Sequence, residues 1–163
     1  MPALTTWMDS NLAVQGYCLL PEERRSLRVA VRFSTALCLA LVVTGLALRS
    51  EVLILAMVPI GVVAGWTPRH PFDLLWNHGV RKLLDVPSLP PNPVRRRHSF
   101  KLATAWLLAV GILLSAGYSA AGIVLGSVMV AVCALVTVTN FCIPSTLLGA
   151  WTRRSPKRTT VSR

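Results

Sequence analysis

The sequence has few charged residues, and acidic residues are especially scarce. Only 14% of the 163 residues are charged, with 6 Asp and Glu against 17 Lys and Arg, whereas about a quarter of a soluble domain is charged. The stretch from Leu102 to Thr152 contains no Asp, Glu, Lys or Arg at all. This shortage argues against an ordinary soluble enzyme and a disordered chain, and 4 cysteines are too few for a disulfide scaffold. With 53% hydrophobic residues, the sequence predicts an integral membrane protein.

Long apolar runs predict an all-α membrane protein. A helix needs about 20 apolar residues to cross the hydrocarbon of a bilayer. The runs predict four transmembrane helices, arranged as two hairpins, at about 29–48, 52–66, 102–117 and 121–141. The second is short and contains Pro59, which suggests a kink or local thinning of the bilayer.

The remaining segments divide the chain into three regions. We expect an interfacial N-terminal segment (1–20), a transmembrane domain (21–151) with a central loop (67–101), and a disordered basic tail (152–163). Trp7 and Tyr17 would hold the first segment at the membrane surface. Because no apolar run precedes residue 29, we expect the N-terminus to be retained rather than cleaved as a signal peptide.

The basic residues predict the orientation. Sixteen of the 17 Lys and Arg residues lie before or near the start of the first span, in the central loop or after the fourth span, and only Arg49 lies on the other side. The positive-inside rule therefore places both termini and the loop in the cytoplasm. The net charge of +11 is thereby explained without nucleic-acid binding.

Several of these basic residues are candidates for binding anionic lipid headgroups on the cytoplasmic side. They are Arg24, Arg28, Arg95, Arg96 and Arg97. Long basic side chains at the ends of membrane helices commonly reach toward lipid phosphates. Alternatively, Arg24, Arg28 and Arg32, which recur every four residues, would form a stripe for an acidic partner.

Small residues indicate where helices approach each other closely. Gly61 and Gly65 are four residues apart in the second span, as are Gly122 and Gly126 in the fourth. Such spacing lets helix backbones touch in a membrane. These contacts would lie within the monomer or between the chain and a partner. That partner would be another membrane subunit or a second copy of the chain.

The sequence of the central loop predicts a short interfacial helix over 72–84, followed by an extended proline-rich segment. In that helix Trp76 would insert into the membrane, and Arg81 and Lys82 would point outward. Asp73 either caps that helix or joins Phe72, Trp76, Asn140 and Cys142 in one contiguous site at the end of the fourth span. Asn140 would form a hydrogen bond to a neighbouring helix or loop.

The cysteines and histidines give no recognisable metal pattern. His70 and His78 are eight residues apart and no Cys-x-x-Cys motif is present, so we expect neither a metal nor a cofactor. Cys38 and Cys133 would pack in mid-membrane. Cys142, in Cys-Ile-Pro-Ser, either packs at a helix end or is a reactive thiol.

Four short motifs together resemble a known family. They are Asn11 with Gln15-Gly16-Tyr17, His70-Pro71-Phe72-Asp73, the stretch from Leu89 to Arg97, and Phe141-Cys142-Ile143-Pro144-Ser145. In this order, over about residues 8–150, they resemble a family of small bacterial integral membrane proteins classed as a domain of unknown function. The resemblance implies a four-helix membrane domain in a bacterial inner membrane, and it supplies no activity, substrate or cofactor.

Three functions remain open from the sequence. We expect a non-catalytic accessory or structural subunit of a larger membrane assembly, since no set of catalytic residues is recognisable. The first alternative is a small oligomeric transporter or channel with Thr137, Thr139 and Asn140 lining a pore. The second is a membrane thiol or sulfur-relay protein that uses Cys142.

Overall fold

The computed structural model describes residues 2–17, 20–84 and 86–147, without the side chains of residues 2–5, 9, 21, 22, 24–26 and 28. All regular structure in these ranges is helical. The helices are α1 (Pro2–Val14), α2 (Pro21–Ala47), α3 (Glu51–Trp66), α4 (Pro71–Leu75), α5 (Arg81–Leu84), α6 (Val94–Ser115) and α7 (Ser119–Thr139), and a π-helical turn over Trp76–Val80 joins α4 to α5. The predicted tail (152–163) and the side chains of Arg24 and Arg28 lie outside the described residues.

Three of these helices are long and apolar enough to cross a membrane, namely the 29–47 part of α2, α6 and α7. Helix α3 has 16 residues, which reach only about 24 Å. It meets the length requirement only together with residues 71–84, which follow at a bend of 83°. The described residues therefore contain three helices that could cross a membrane, or four such segments if the bent pair counts as one.

The helix ends follow local sequence signals. Helix α2 begins at Pro21, a residue suited to the first helical position, and the backbone N–H of Leu20 donates to the Glu23 carboxylate at 3.0 Å. Helix α6 begins at Val94, eight residues before the predicted third span, because Pro93 ends the extended segment and its fixed φ suits a helix entrance. Helix α7 ends at Thr139, two residues earlier than predicted, since Asn140 adopts a left-handed conformation with φ of 55°.

Two tight turns connect the long helices into hairpins. Between α2 and α3, Arg49 has φ of 50°, and the N–H of Ser50 donates to the carbonyl of Gly45 at 2.9 Å. Between α6 and α7, Gly117 has φ of +83°, a conformation that glycine adopts without strain.

The hairpins lie side by side, with α3 packed along α6 and α7 packed against both α2 and α6. We call the end with the two tight turns the hairpin end. We call the other end the polar end; there the start of α2, the start of α6 and the end of α7 meet α1 and the 67–93 segment. An apolar core that includes Val42, Ile54, Leu107 and Met129 fills the space between the long helices.

A second apolar cluster forms under the polar end and includes Trp76. The cluster contains Leu12, Tyr17, Leu27, Ala30, Val31, Trp76 and Leu89. Trp76 is buried within the protein and its ring lies 5.2 Å from that of Phe33. The prediction that Trp76 inserts into the membrane was therefore wrong, because residues of α1 and of the start of α2 pack around its side chain. Arg81 and Lys82 are exposed, as expected.

The four candidate glycines all make contacts inside the monomer. A Cβ at Gly65 would lie 2.8 Å from the Lys101 side chain, and one at Gly61 would meet Thr104, so both glycines let α3 approach α6. A Cβ at Gly122 would lie 2.8 Å from Leu114 on α6. One at Gly126 would meet Leu46 of α2. The structure thus accounts for these glycines without an oligomer.

Candidate functional site

The polar end contains an unusual number of buried polar side chains for so small a chain. They are Asn11, Gln15, Tyr17, Ser34, His70, Asp73, Asn92, Arg96, Asn140 and Ser145. They come from every segment that reaches this end, including the two elements outside the long helices. Burying a polar group is costly unless it is hydrogen-bonded, so the bonds among them define the site.

Asp73 lies at the centre of one hydrogen-bond network. Its carboxylate accepts from the hydroxyl of Ser34 on α2, from Nδ2 of Asn92 at 2.6 Å and from the backbone N–H of His70 at 3.2 Å. The bond from His70 is the helix cap that the sequence suggested. The bond from Ser34 ties the 67–93 segment to α2, and the bond from Asn92 joins two parts of the 67–93 segment itself, so Asp73 combines capping with a tertiary role.

Arg96 extends this network to the N-terminal segment. Its guanidinium donates to the hydroxyl of Tyr17 at 2.8 Å and to the carbonyl of Val31 at 3.1 Å, and it lies over the ring of Phe100 at 5.5 Å. The Tyr17 hydroxyl in turn donates to Oδ1 of Asn92 at 3.0 Å. Burial raises the pKa of Tyr17 and the Arg96 guanidinium opposes that shift, so Tyr17 acts as a neutral donor.

The lipid-anchor prediction was wrong for Arg96, which is only 4% exposed. Its bonds hold it inside the protein, where it balances the charge of Asp73. Arg95 is half-buried and donates to the carbonyl of Val14 at 3.4 Å. Arg97 is also half-buried, and its Nε has no hydrogen-bond partner among the described residues.

Asn140 joins α7 to the N-terminal helix. Nε2 of Gln15 donates to the carbonyl of Asn140 at 2.6 Å, and Nδ2 of Asn11 donates to the carbonyl of Thr139 at 3.1 Å. The Arg32 guanidinium donates to Oδ1 of Asn140 at 3.4 Å. The inter-segment hydrogen bond expected of Asn140 is therefore present, and it is made with Gln15, just after α1, and with Arg32 of α2.

Cys142 lies in a separate group with two serines. Its thiol donates to the hydroxyl of Ser99 at 3.3 Å, and it accepts from the hydroxyl of Ser145 at 3.3 Å. The two serine hydroxyls are 2.9 Å apart. The hydrogen bonds of Asp73, Asn140 and Cys142 thus belong to three different groups at the polar end.

His70 lies between the Asp73 network and the interior of the bundle. It is 2% exposed, and its Nδ1 accepts from the backbone N–H of Phe72 at 3.1 Å. Burial lowers the pKa of His70 to about 4, and the nearby Asp73 carboxylate opposes this shift only in part. The neutral ring therefore carries its proton on Nε2, where the sulfur of Cys38 lies 3.8 Å away.

A cavity of about 160 Å³ opens beside His70, between the long helices. Its wall is mainly apolar, and His70, Arg96, Ser99 and Cys142 border it toward the polar end. All three cysteines of the described residues, Cys38, Cys133 and Cys142, contribute to its lining. In those residues no group of three or more His, Cys, Asp or Glu side chains could hold a metal ion.

The sequence reasoning missed the cavity and the roles of Ser34, His70, Asn92 and Arg96. A signal was present, because Gln15, Tyr17, His70, Asp73, Asn92 and Cys142 all belong to the four motifs that carried the family resemblance. Motifs far apart in the chain therefore meet at one end of the bundle. Spacing within one motif could not reveal that meeting.

The family model for a domain of unknown function (DUF4395) matches residues 28–153. The chain belongs to this family. The first motif, at residues 11–17, lies before the matched region. No curated protein and no solved structure matches the chain.

Proposed function

We propose that this member of the DUF4395 family is a non-catalytic accessory component of a larger membrane assembly, and that it holds a small apolar molecule in the cavity between its long helices. The cavity carries this proposal. Membrane and soluble protein interiors are close-packed, and voids larger than a water molecule are few. A space of about 160 Å³ is similar to an engineered apolar cavity of about 150 Å³ that binds benzene.

The surroundings of the cavity support a holding role rather than turnover. Asp73 and Arg96 are engaged in hydrogen bonds that tie three segments together. These bonds give the polar end a rigid frame around the cavity. A rigid, preformed apolar pocket with few polar groups is typical of a binding site for a small molecule.

We place the protein in the inner membrane with both termini and the 67–93 segment in the cytoplasm. The asymmetry of the basic residues supports this orientation. Anionic headgroups would then contact the exposed basic residues of the polar end, and other membrane subunits would pack on the outward apolar faces.

The orientation is tested with single cysteines introduced at Ser50 and at the exposed Leu83, in a chain without native cysteines. A membrane-impermeant reagent applied outside should label position 50 and spare position 83. Labelling of position 83 alone would reverse the orientation.

The test of the holding role is extraction of the purified protein with organic solvent, followed by mass spectrometry. The parent should carry a small apolar molecule at about one per chain. Val132→Phe places a ring in the cavity, which Val132 lines, and should remove that molecule. Val128→Phe is the matched control, since Val128 lies on the same helix and is 48% exposed. Equal amounts in all three proteins would contradict the proposal.

A thiol function is the second candidate, because three cysteines distant in sequence line one cavity. It predicts that Cys142, as the only remaining cysteine, is alkylated rapidly at pH 6, as expected of a reactive thiol. Slow alkylation would favour the holding role. The hydroxyls of Thr137 and Thr139 bond to carbonyls of their own helix, so no observation favours the pore alternative.

A further inference from the structure

His70 presents a hydrogen-bond donor to the cavity that the protein itself uses poorly. Because Nδ1 accepts from the Phe72 N–H, the proton of the neutral ring is on Nε2. Its nearest described partner is the sulfur of Cys38 at 3.8 Å, and thioether and thiol sulfurs are weak acceptors. A donor that is 98% buried and faces an open space is costly unless a further acceptor reaches it.

The charge around the cavity indicates that this acceptor is uncharged. Burial keeps His70 neutral at pH 7, with a pKa of about 4. The guanidinium of Arg96 already donates to the Tyr17 hydroxyl and the Val31 carbonyl. A carboxylate or phosphate in the cavity would therefore lose its hydration without gaining a free cation.

The rim of the cavity indicates the route of entry. Leu102 lines the cavity and is 53% exposed on the outer face of α6. That face lies in the apolar part of a predicted span, so a molecule would enter from the lipid phase. The volume suits one six-membered ring, and any tail would leave past Leu102 into the bilayer.

We propose that the cavity binds a lipid-soluble molecule whose head is a single ring bearing an uncharged carbonyl oxygen, and that His70 Nε2–H donates to that oxygen. Quinones and aromatic ketones belong to this class. This inference rests on the proposed holding function and specifies its ligand. It assigns to His70 a binding role in addition to its role as the cap of α4.

The test compares acetophenone with ethylbenzene, which has nearly the same shape but lacks the carbonyl. Binding to the full chain in detergent is measured by the shift in unfolding temperature at equal ligand concentration in the micelle. The parent should bind acetophenone roughly threefold to tenfold more tightly, the range of one net hydrogen bond. His70→Asn keeps an acceptor for the Phe72 N–H and should abolish the preference.

A second measurement does not depend on that variant folding. In parent protein labelled with ¹⁵N-histidine, acetophenone should shift the Nε2 resonance of one of the 3 histidines, and ethylbenzene should shift it much less. Val132→Phe should remove both effects and Val128→Phe should retain them.

The outcomes separate the two proposals. Equal binding of both compounds to the parent would overturn the carbonyl assignment and leave the holding function intact. Both proposals would be overturned if the parent binds neither compound and Val132→Phe does not change the amount of small molecule extracted from the protein. A preference for acetophenone that persists in a folded His70→Asn variant would remove His70 from the site.

Discussion

Arg96 and Asp73 are joined through the neutral side chains of Tyr17 and Asn92. Arg96 donates to Tyr17 at 2.8 Å, Tyr17 donates to Asn92 at 3.0 Å, and Asn92 donates to Asp73 at 2.6 Å. The N-terminal segment, the 67–93 segment and α6 are thereby held by one line of hydrogen bonds. The two opposite charges compensate each other inside the protein, where each alone would be strongly destabilising.

This relationship predicts non-additive effects on stability. Asp73→Asn and Arg96→Met should each lower the free energy of unfolding by at least about 2 kcal/mol, because each leaves the other charge buried without compensation. The double variant should lose about 1–3 kcal/mol less free energy of unfolding than the sum of the losses in the two single variants. Denaturation of the purified proteins in mixed micelles measures this.

The matched control for the Asp73 and Arg96 variants is Arg81→Met. Arg81 is exposed at the same end of the molecule and should change stability by no more than about 0.5 kcal/mol. Strict additivity of the Asp73 and Arg96 variants would mean that the two charges are not coupled.

Burial of His70 predicts a pH dependence. The folded pKa is about 4 and the ordinary value is 6.5, so the unfolded chain binds the proton more readily between these values. The stability contributed by the neutral ring is therefore complete above pH 6.5 and is lost as the pH falls toward 4. Between pH 7 and pH 5 the parent should lose about 2 kcal/mol from this group.

His70→Asn provides the control for the pH measurement, since the exposed His78 and His98 remain in it. The loss of unfolding free energy between pH 7 and pH 5 should be smaller in the variant by that amount. Identical pH profiles for parent and variant would show that His70 is not buried in its neutral form.

The contact between α7 and α2 predicts a sensitive position at Gly126. A Cβ there would meet both methyl groups of Leu46, at 2.6 and 2.8 Å, so Gly126→Leu should destabilise the protein by about 1–3 kcal/mol through overpacking. Val128→Leu, on the exposed face of the same helix, should change stability little. Thermal unfolding of the two variants in detergent decides this, and equal midpoints would mean that the glycine spacing is incidental.

The turn between α2 and α3 predicts a stabilising substitution. Arg49 has a left-handed backbone with φ of 50°, which costs a residue with a Cβ more than it costs glycine. Arg49→Gly should raise the free energy of unfolding by up to about 1 kcal/mol. Arg49→Ala separates the backbone effect from the loss of charge, because alanine keeps the strain. If alanine stabilises as much as glycine, the charge is responsible.

The sequence alone determined the class of the molecule and the positions of its helices. Runs of apolar residues predict membrane helices because an uncharged stretch of about 20 residues has a low free energy in hydrocarbon only as a helix. Local signals such as Pro21 also indicate where a helix begins or ends, because they depend only on neighbours a few residues away. Gly61 and Gly126 were recognisable as close contacts from spacing alone, but their partners, Thr104 and Leu46, were not.

Only the tertiary structure decided which polar residues meet. Arg96 has the sequence context of a lipid anchor and Trp76 that of a membrane-inserted residue, yet both are buried, because α1 and the 67–93 segment fold over the end of the bundle. The cavity likewise forms because the side chains of four helices, α2, α3, α6 and α7, leave part of the space between them unfilled. Periodicity describes the faces of one helix, and so it cannot predict a site that arises from several segments at once.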